Sequence, residues 1–125
     1  MKQRERQRLL ARQCFDEVCL NLNQLVGQFG GFGLQRELSD NFNRQAVSQM
    51  YPARLIEGNI EYIGDNYQPE TQRAILAPMI DFASQVSGKK TVASSINNAI
   101  KAAQRKCGAN LFEAAMRLDL TEYLE

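Results

Sequence analysis

The residues with the chemistry for nucleophilic or metal work are three thiols, Cys14, Cys19 and Cys107, and a run of carboxylates, Glu57, Glu61 and Asp65. A thiolate nucleophile needs a base, usually histidine, and a structural zinc needs four soft ligands. The 125-residue chain has no histidine and only three cysteines. Ser/His/Asp and Cys/His catalysis, His-containing zinc sites and the usual proton shuttle near neutral pH are therefore excluded. Cys14 and Cys19 fall at or beside an apolar stripe and read as small buried side chains. Carboxylates four apart align their oxygens only on an unbroken helix, and Gly58 and Gly64 interrupt this one. A solvated acidic face is expected there. Gly27-Gln28-Phe29-Gly30 has the GxxG form of a nucleic-acid-clamping loop without basic neighbours, and Gly88-Lys89-Lys90-Thr91 resembles a P-loop end out of register. No catalytic residue, metal or cofactor is expected, and the chain reads as a non-enzyme.

Charge placement carries more information. The net charge of +1 conceals strong local terms. Residues 1–12 hold Lys2, Arg4, Arg6, Arg8 and Arg12 against Glu5; residues 89–112 hold Lys89, Lys90, Lys101, Arg105 and Lys106 against no acid. The intervening 13–88 and the final 113–125 are net acidic. Cations at a helix N-terminus oppose the macrodipole, so the first turns should fray unless an anion is bound. Arg4, Arg8 and Arg12 are four apart and form one ridge suited to a phosphate backbone. Lys90, Ser94, Asn98, Lys101 and Arg105 line one polar side of a later helix, with Lys89 just before it; such donors supply most phosphate contacts.

The elements that position these residues are helical. Ala11, Phe15, Val18, Leu22, Leu25 and Phe29 are spaced 4, 3, 4, 3, 4, predicting a long amphipathic helix from about Lys2 to Phe29. Gly27, Gly30, Gly31 and Gly33 predict its end and a loop around Phe32. Ser39 and Asp40 suit the cap of a second helix through Phe42, Ala46 and Met50, limited by Pro52. Residues 58–68 read as an irregular connector, because an isolated strand lacks a partner. Pro69 opens a third helix, kinked or split at Pro78. A fourth runs from about Thr91 to Cys107, with Val92, Ile96, Ala99 or Ile100, and Ala103 inward and Gly108 as its cap. Asn110 and Glu113 have capping-box spacing ahead of a short fifth helix. The expected fold is all-α, a single compact domain of about five helices over residues 1–125, with residues 1–12 a basic arm.

The odd thiol count favours reduced cysteines and a cytoplasmic location, and no apolar stretch approaches a membrane span. In size, helicity and basic faces the chain resembles the small all-helical subunits that line nucleoprotein complexes, such as the small subunits of CRISPR effector complexes. That resemblance is one of general character. It implies a non-catalytic subunit or accessory factor that holds RNA or DNA by its backbone without sequence specificity. The site residues on this reading are Arg4, Arg8, Arg12, Lys89, Lys90, Ser94, Asn98, Lys101 and Arg105. The alternative is a protein–protein interaction module, an adaptor, inhibitor or assembly chaperone, with Phe29, Phe32, Tyr51, Tyr62 and Tyr67 as anchors and self-association through the first helix. Other protein subunits are expected partners on either reading; a membrane is not.

Overall fold

The computed structural model describes residues 2–108 and 110–124. The order is α1 (Lys2–Ser48), β1 (Ala53–Ile56), β2 (Asn59–Tyr62), α2 (Pro69–Ser87), α3 (Lys89–Cys107) and α4 (Phe112–Arg117), then a 3₁₀ turn at Thr121–Tyr123. The described residues thus hold four α-helices and one antiparallel hairpin, a mostly helical fold with one helix fewer than expected.

The first correction lies at the glycine run. Helical geometry does not stop there; it breaks at the single residue Gly31 (φ 68°, ψ −152°) and resumes at once. The chain reverses at that point. Gln35 Nε2 donates to the Asn23 carbonyl at 3.2 Å, although twelve residues of straight helix would span about 18 Å. Ser39 and Asp40 therefore lie inside the second arm and cap nothing. Its buried stripe is Leu38, Phe42 and Ala46, whereas Met50, expected inside, is exposed. The arms close on one another through Phe15, whose ring centroid is 6.0 Å from Phe42 and 5.2 Å from Tyr51. Each such ring contributes roughly 2–3 kcal/mol by burial, with about 1 kcal/mol more for each pair of rings.

The second correction is the hairpin. β1 supplies the partner that β2 was expected to lack, pairing Ala53 with Tyr62 and Ile56 with Asn59 around Glu57 and Gly58. Pro52 lies just beyond the end of α1, as expected, but leads into a strand. Ala53 and Leu55 point inward and are buried, the period-2 pattern of a strand with one face on the core. Asn43 on the second arm holds the strand edge, accepting from Leu55 N at 2.8 Å and donating to Leu55 O at 3.1 Å.

α2 lies along the first arm, with Cys19 Sγ 3.9 Å from Met79 Sδ, and passes through Pro78 as one helix. Ile75, Leu76, Met79 and Ala83 are buried on either side of Pro78, so packing holds the helix across the missing hydrogen bond. α3 returns antiparallel after one residue, Gly88 (φ 92°, ψ 153°), and buries Val92, Ile96, Ala99, Ile100 and Ala103 as the spacing predicts. Gly108 is its left-handed cap, donating to Gln104 O at 2.8 Å. Asn110 Oδ1 accepts from Phe112 N at 3.0 Å, while Glu113 accepts from Gln7 in place of closing a capping box. The apolar stripe of the first arm from Ala11 to Leu25 is buried within the chain. A second copy has no access to that stripe, although Leu9, Phe29 and Phe32 of the same helix are exposed.

Gly31 and Gly88 occupy backbone regions essentially closed to residues with a side chain, and a Cβ at either would meet nothing within 4 Å. Any loss on substitution is then purely conformational. Met50 (φ 56°) ends α1 in the left-handed region, with Tyr51 N donating to Ala46 O at 2.7 Å. Chemical denaturation should show Gly88→Ala destabilising by about 2 kcal/mol and Met50→Gly stabilising by about 1 kcal/mol. Equal midpoints for the three proteins would refute this account of the joints.

Candidate nucleic-acid interface

The outward face of α3 keeps its donors free. Lys89, Lys90, Ser94, Asn98, Lys101 and Arg105 are all exposed. The helix presents them because Val92, Ile96, Ala99, Ile100 and Ala103 face the other way, onto α1 and α2. Its first turn holds no acid and no side chain caps it, so its leading N–H groups add positive potential beside Lys89 and Lys90. Thr91, Ser94, Ser95 and Asn98 face Asn21, Gln24, Leu25 and Gln28 of the first arm across a groove of about 260 Å³. No acidic residue lines that groove. Lys106 is the cation of this segment that is engaged, its Nζ paired with the buried carboxylate of Glu17.

The N-terminal ridge has a different fate. Arg12 stacks with its guanidinium 3.9 Å from the Tyr62 ring centroid and 5.4 Å from that of Tyr67, and its Nε lies 3.6 Å from Asp16 Oδ2. Arg8 lies 4.7 Å over Tyr67 and donates from Nη2 to the Asp65 carbonyl at 2.5 Å. Both are half-buried. The expectation of a free Arg4, Arg8, Arg12 ridge is corrected accordingly, because aromatic faces and oxygen acceptors of the same chain already hold two of its members. α1 is helical from Lys2 in this structure. Arg4 remains exposed and shares an open hollow with Arg8, Arg117, Asp65 and Glu70, where the cations face two acids.

Composition and spacing did not reveal a buried polar chain that runs from α1 through the hairpin to α2. Tyr62 donates to Asp16 Oδ1 at 2.7 Å, the Tyr51 and Tyr62 hydroxyls are 2.8 Å apart, and Gln72 Nε2 donates to the Tyr51 hydroxyl at 2.9 Å. Burial pushes the Asp16 carboxyl up to about 6, against the lowering influence of the Tyr62 hydrogen bond and the Arg12 charge. Burial likewise raises both phenols, with Asp16 adding to the rise at Tyr62. Three tyrosines clustered in sequence and an acid beside Phe15 on the apolar stripe were the available signals.

The thiols and the spaced carboxylates do not converge. Burial pushes Cys14 up to about 12 and Cys19 well above its ordinary value, which keeps both protonated; Cys107 is exposed. Glu57 sits in the hairpin turn, Glu61 points outward from β2 and Asp65 lies beyond the strand. Among the described residues no group of three or more Cys, Asp or Glu side chains is arranged to hold a metal ion. No described helix is long and apolar enough to cross a membrane. Comparisons with protein-family models, with curated proteins and with solved structures each found no match.

The Asp16 environment has a pH consequence of definite sign. A carboxyl whose folded pKa is raised binds its proton more tightly in the native state. Its stabilising contribution is complete below about pH 4, the unfolded value, and is lost as pH rises through about 6. Asp16→Asn removes this titration. Relative to the parent, the variant should gain roughly 2 kcal/mol of stability between about pH 4.5 and about pH 7.5 in urea denaturation. A stability difference that stays constant across that range would contradict the assignment.

Proposed function

We propose that the protein is a non-catalytic subunit or accessory factor of a nucleoprotein complex that holds a nucleic-acid backbone without reading its sequence. The observation that carries the reading is the acid-free, exposed donor face of α3 with its adjoining groove. Lysine and arginine heads supply the charge, and the serine, threonine and amide groups between them supply the hydrogen bonds that orient phosphate and sugar. Residues 90–105 span about 22 Å of helix. Lys89, Lys90, Lys101 and Arg105 contact at most four phosphates over that length. Affinity then comes from counterion release, with a ceiling set by four contacts.

A second reading, a protein-interaction module, is favoured by one feature. Phe112 and Met116 stand one turn apart on α4 and are both about half exposed. They form a small apolar face that a partner subunit would cover. The two readings are compatible in a subunit that meets protein on one side and nucleic acid on another.

The slope of log affinity against log salt for a single-stranded oligonucleotide should be about −3 or shallower. The double substitution Lys101→Glu, Arg105→Glu should weaken binding and flatten the slope to about −1.4, with the denaturation midpoint unchanged because both side chains are exposed. Salt-independent binding, or none to single or double strands, would overturn the proposal.

A further inference from the structure

A second concavity lies on the adjacent flank of the first arm. It has a volume of about 560 Å³, within the usual range for small-ligand sites, and is lined by Asn23, Phe32, Gln35, Arg36, Ser39, Glu57 and Gly58. Three observations set it apart from an ordinary crevice. Asn23 is only 7% exposed, yet its side chain makes no hydrogen bond, and Oδ1 is sealed from water without a partner. Phe32, at the reversal of α1, is 88% exposed, an apolar ring standing at the rim with nothing of its own chain to cover it. Glu57 is held at φ 50° in the tight turn, a conformation that asparagine or glycine adopts more easily.

We propose that this pocket receives one unpaired, amino-bearing nucleobase. A nucleobase is a flat ring with donors and acceptors on its edge, and the site offers an aromatic face together with amide, hydroxyl and carboxylate groups around a shared space. Gln35 donates its Nε2 to the Asn23 carbonyl, so what it has left for a ligand is the acceptor Oε1. With the carboxylate of Glu57, two acceptors face the space, and because the Asn23 amide oxygen is sealed, what that residue has left for a ligand is its Nδ2 donor. Such a set suits the exocyclic amine of adenine or cytosine, which asparagine, glutamine and glutamate side chains recognise in this manner. Uracil and thymine carry a carbonyl where adenine and cytosine carry the amine, and so set an oxygen against the Glu57 and Gln35 acceptors. Arg36, exposed at the edge, is the group for the attached phosphate.

The position also suits a strand. Asn23 lines the pocket and its neighbour Gln24 lines the α3 groove, so the two sites lie on adjacent flanks of one helix about 10–12 Å thick. A single strand crossing that arm places phosphates along α3 and turns one base into the pocket, with Phe32 as its stacking surface. The pocket rests on the backbone reading for how the strand arrives, but a free nucleotide tests it separately.

The test uses the full chain with labelled oligoadenylate, oligocytidylate and oligouridylate of equal length at one salt concentration, and adenosine monophosphate followed by the side-chain amide NMR signals of Asn23 and Gln35. The expected result is about tenfold tighter binding of the adenylate and cytidylate strands than of the uridylate strand, with adenosine monophosphate shifting both amides. Phe32→Ala should abolish the preference, and its exposure means the fold does not depend on it. Asn23→Leu should abolish it as well without lowering the denaturation midpoint, because an apolar group replaces an unpartnered amide. Equal binding of all three strands, unchanged in Phe32→Ala and with still amide signals, overturns the pocket and leaves the α3 reading standing. Shifted amides without strand binding overturn the α3 reading and sustain the pocket. A dimer in solution that Phe32→Ala dissociates assigns Phe32 to a second copy of the chain and overturns the stacking role.

Discussion

The interior of this protein is organised around one carboxylate. Asp16 sits on the buried side of the first arm beside Phe15, where an unaccompanied charge would cost several kcal/mol. The fold answers with a Tyr62 hydroxyl, an Arg12 guanidinium and, behind Tyr62, the chain through Tyr51 to Gln72. Each partner belongs to a different part of the chain. Meeting the demands of one acid therefore draws the hairpin and α2 onto the first arm in a defined register. Arg12 in turn stacks on Tyr62 and Tyr67, and Arg8 joins it over Tyr67. Arg8 and Arg12 are in this way drawn from the solvent ridge into the clamp, while Arg4 and Arg6 stay exposed.

Gly31 and Gly88 make that convergence geometrically feasible. Each reverses or joins two helices within one residue. The periodicity of the first arm, of α2 and of α3 was legible because each buries a continuous stripe against a neighbour, and Gly108 was legible because left-handed caps favour glycine. What the linear pattern hid was local competition. Four glycines within seven residues predict a loop by propensity, yet tertiary contacts from Gln35, Leu38 and Phe42 keep the backbone helical on both sides of Gly31. The hairpin was hidden because glutamate is an unusual first residue in a tight two-residue turn, and β1 had to be seen before β2 had a partner.

The candidate site divided along similar lines. The face of α3 could be read directly because helix spacing alone places Lys90, Ser94, Asn98, Lys101 and Arg105 together and no acid lies between them. The N-terminal ridge obeyed the same spacing, but its partners Tyr62, Tyr67 and Asp65 are about fifty residues away, and no local rule connects them. Asn23 escaped notice for a related reason. Its lack of a hydrogen bond is a property of the folded surroundings and leaves no trace in the spacing of neighbouring residues.

One chemical distinction nevertheless separates the two basic clusters in the sequence itself. Four of the five cations in residues 1–12 are arginine, whereas four of the five in residues 89–112 are lysine. Guanidinium is planar and weakly hydrated, and it can stack on tyrosine while donating from its edge to a carboxylate or carbonyl; ammonium is compact and strongly hydrated and remains in water. An arginine-rich segment in a chain with clustered tyrosines is thus suited to internal use. A lysine-rich segment without acids has no comparable outlet within the fold. The one lysine of the second cluster that finds a partner, Lys106, does so at the buried Glu17, which no other side chain in the described residues neutralises. The remaining cations of α3 stay at the surface because the interior offers them no comparable partner, and on the reading proposed above their charge is what an external anion would meet.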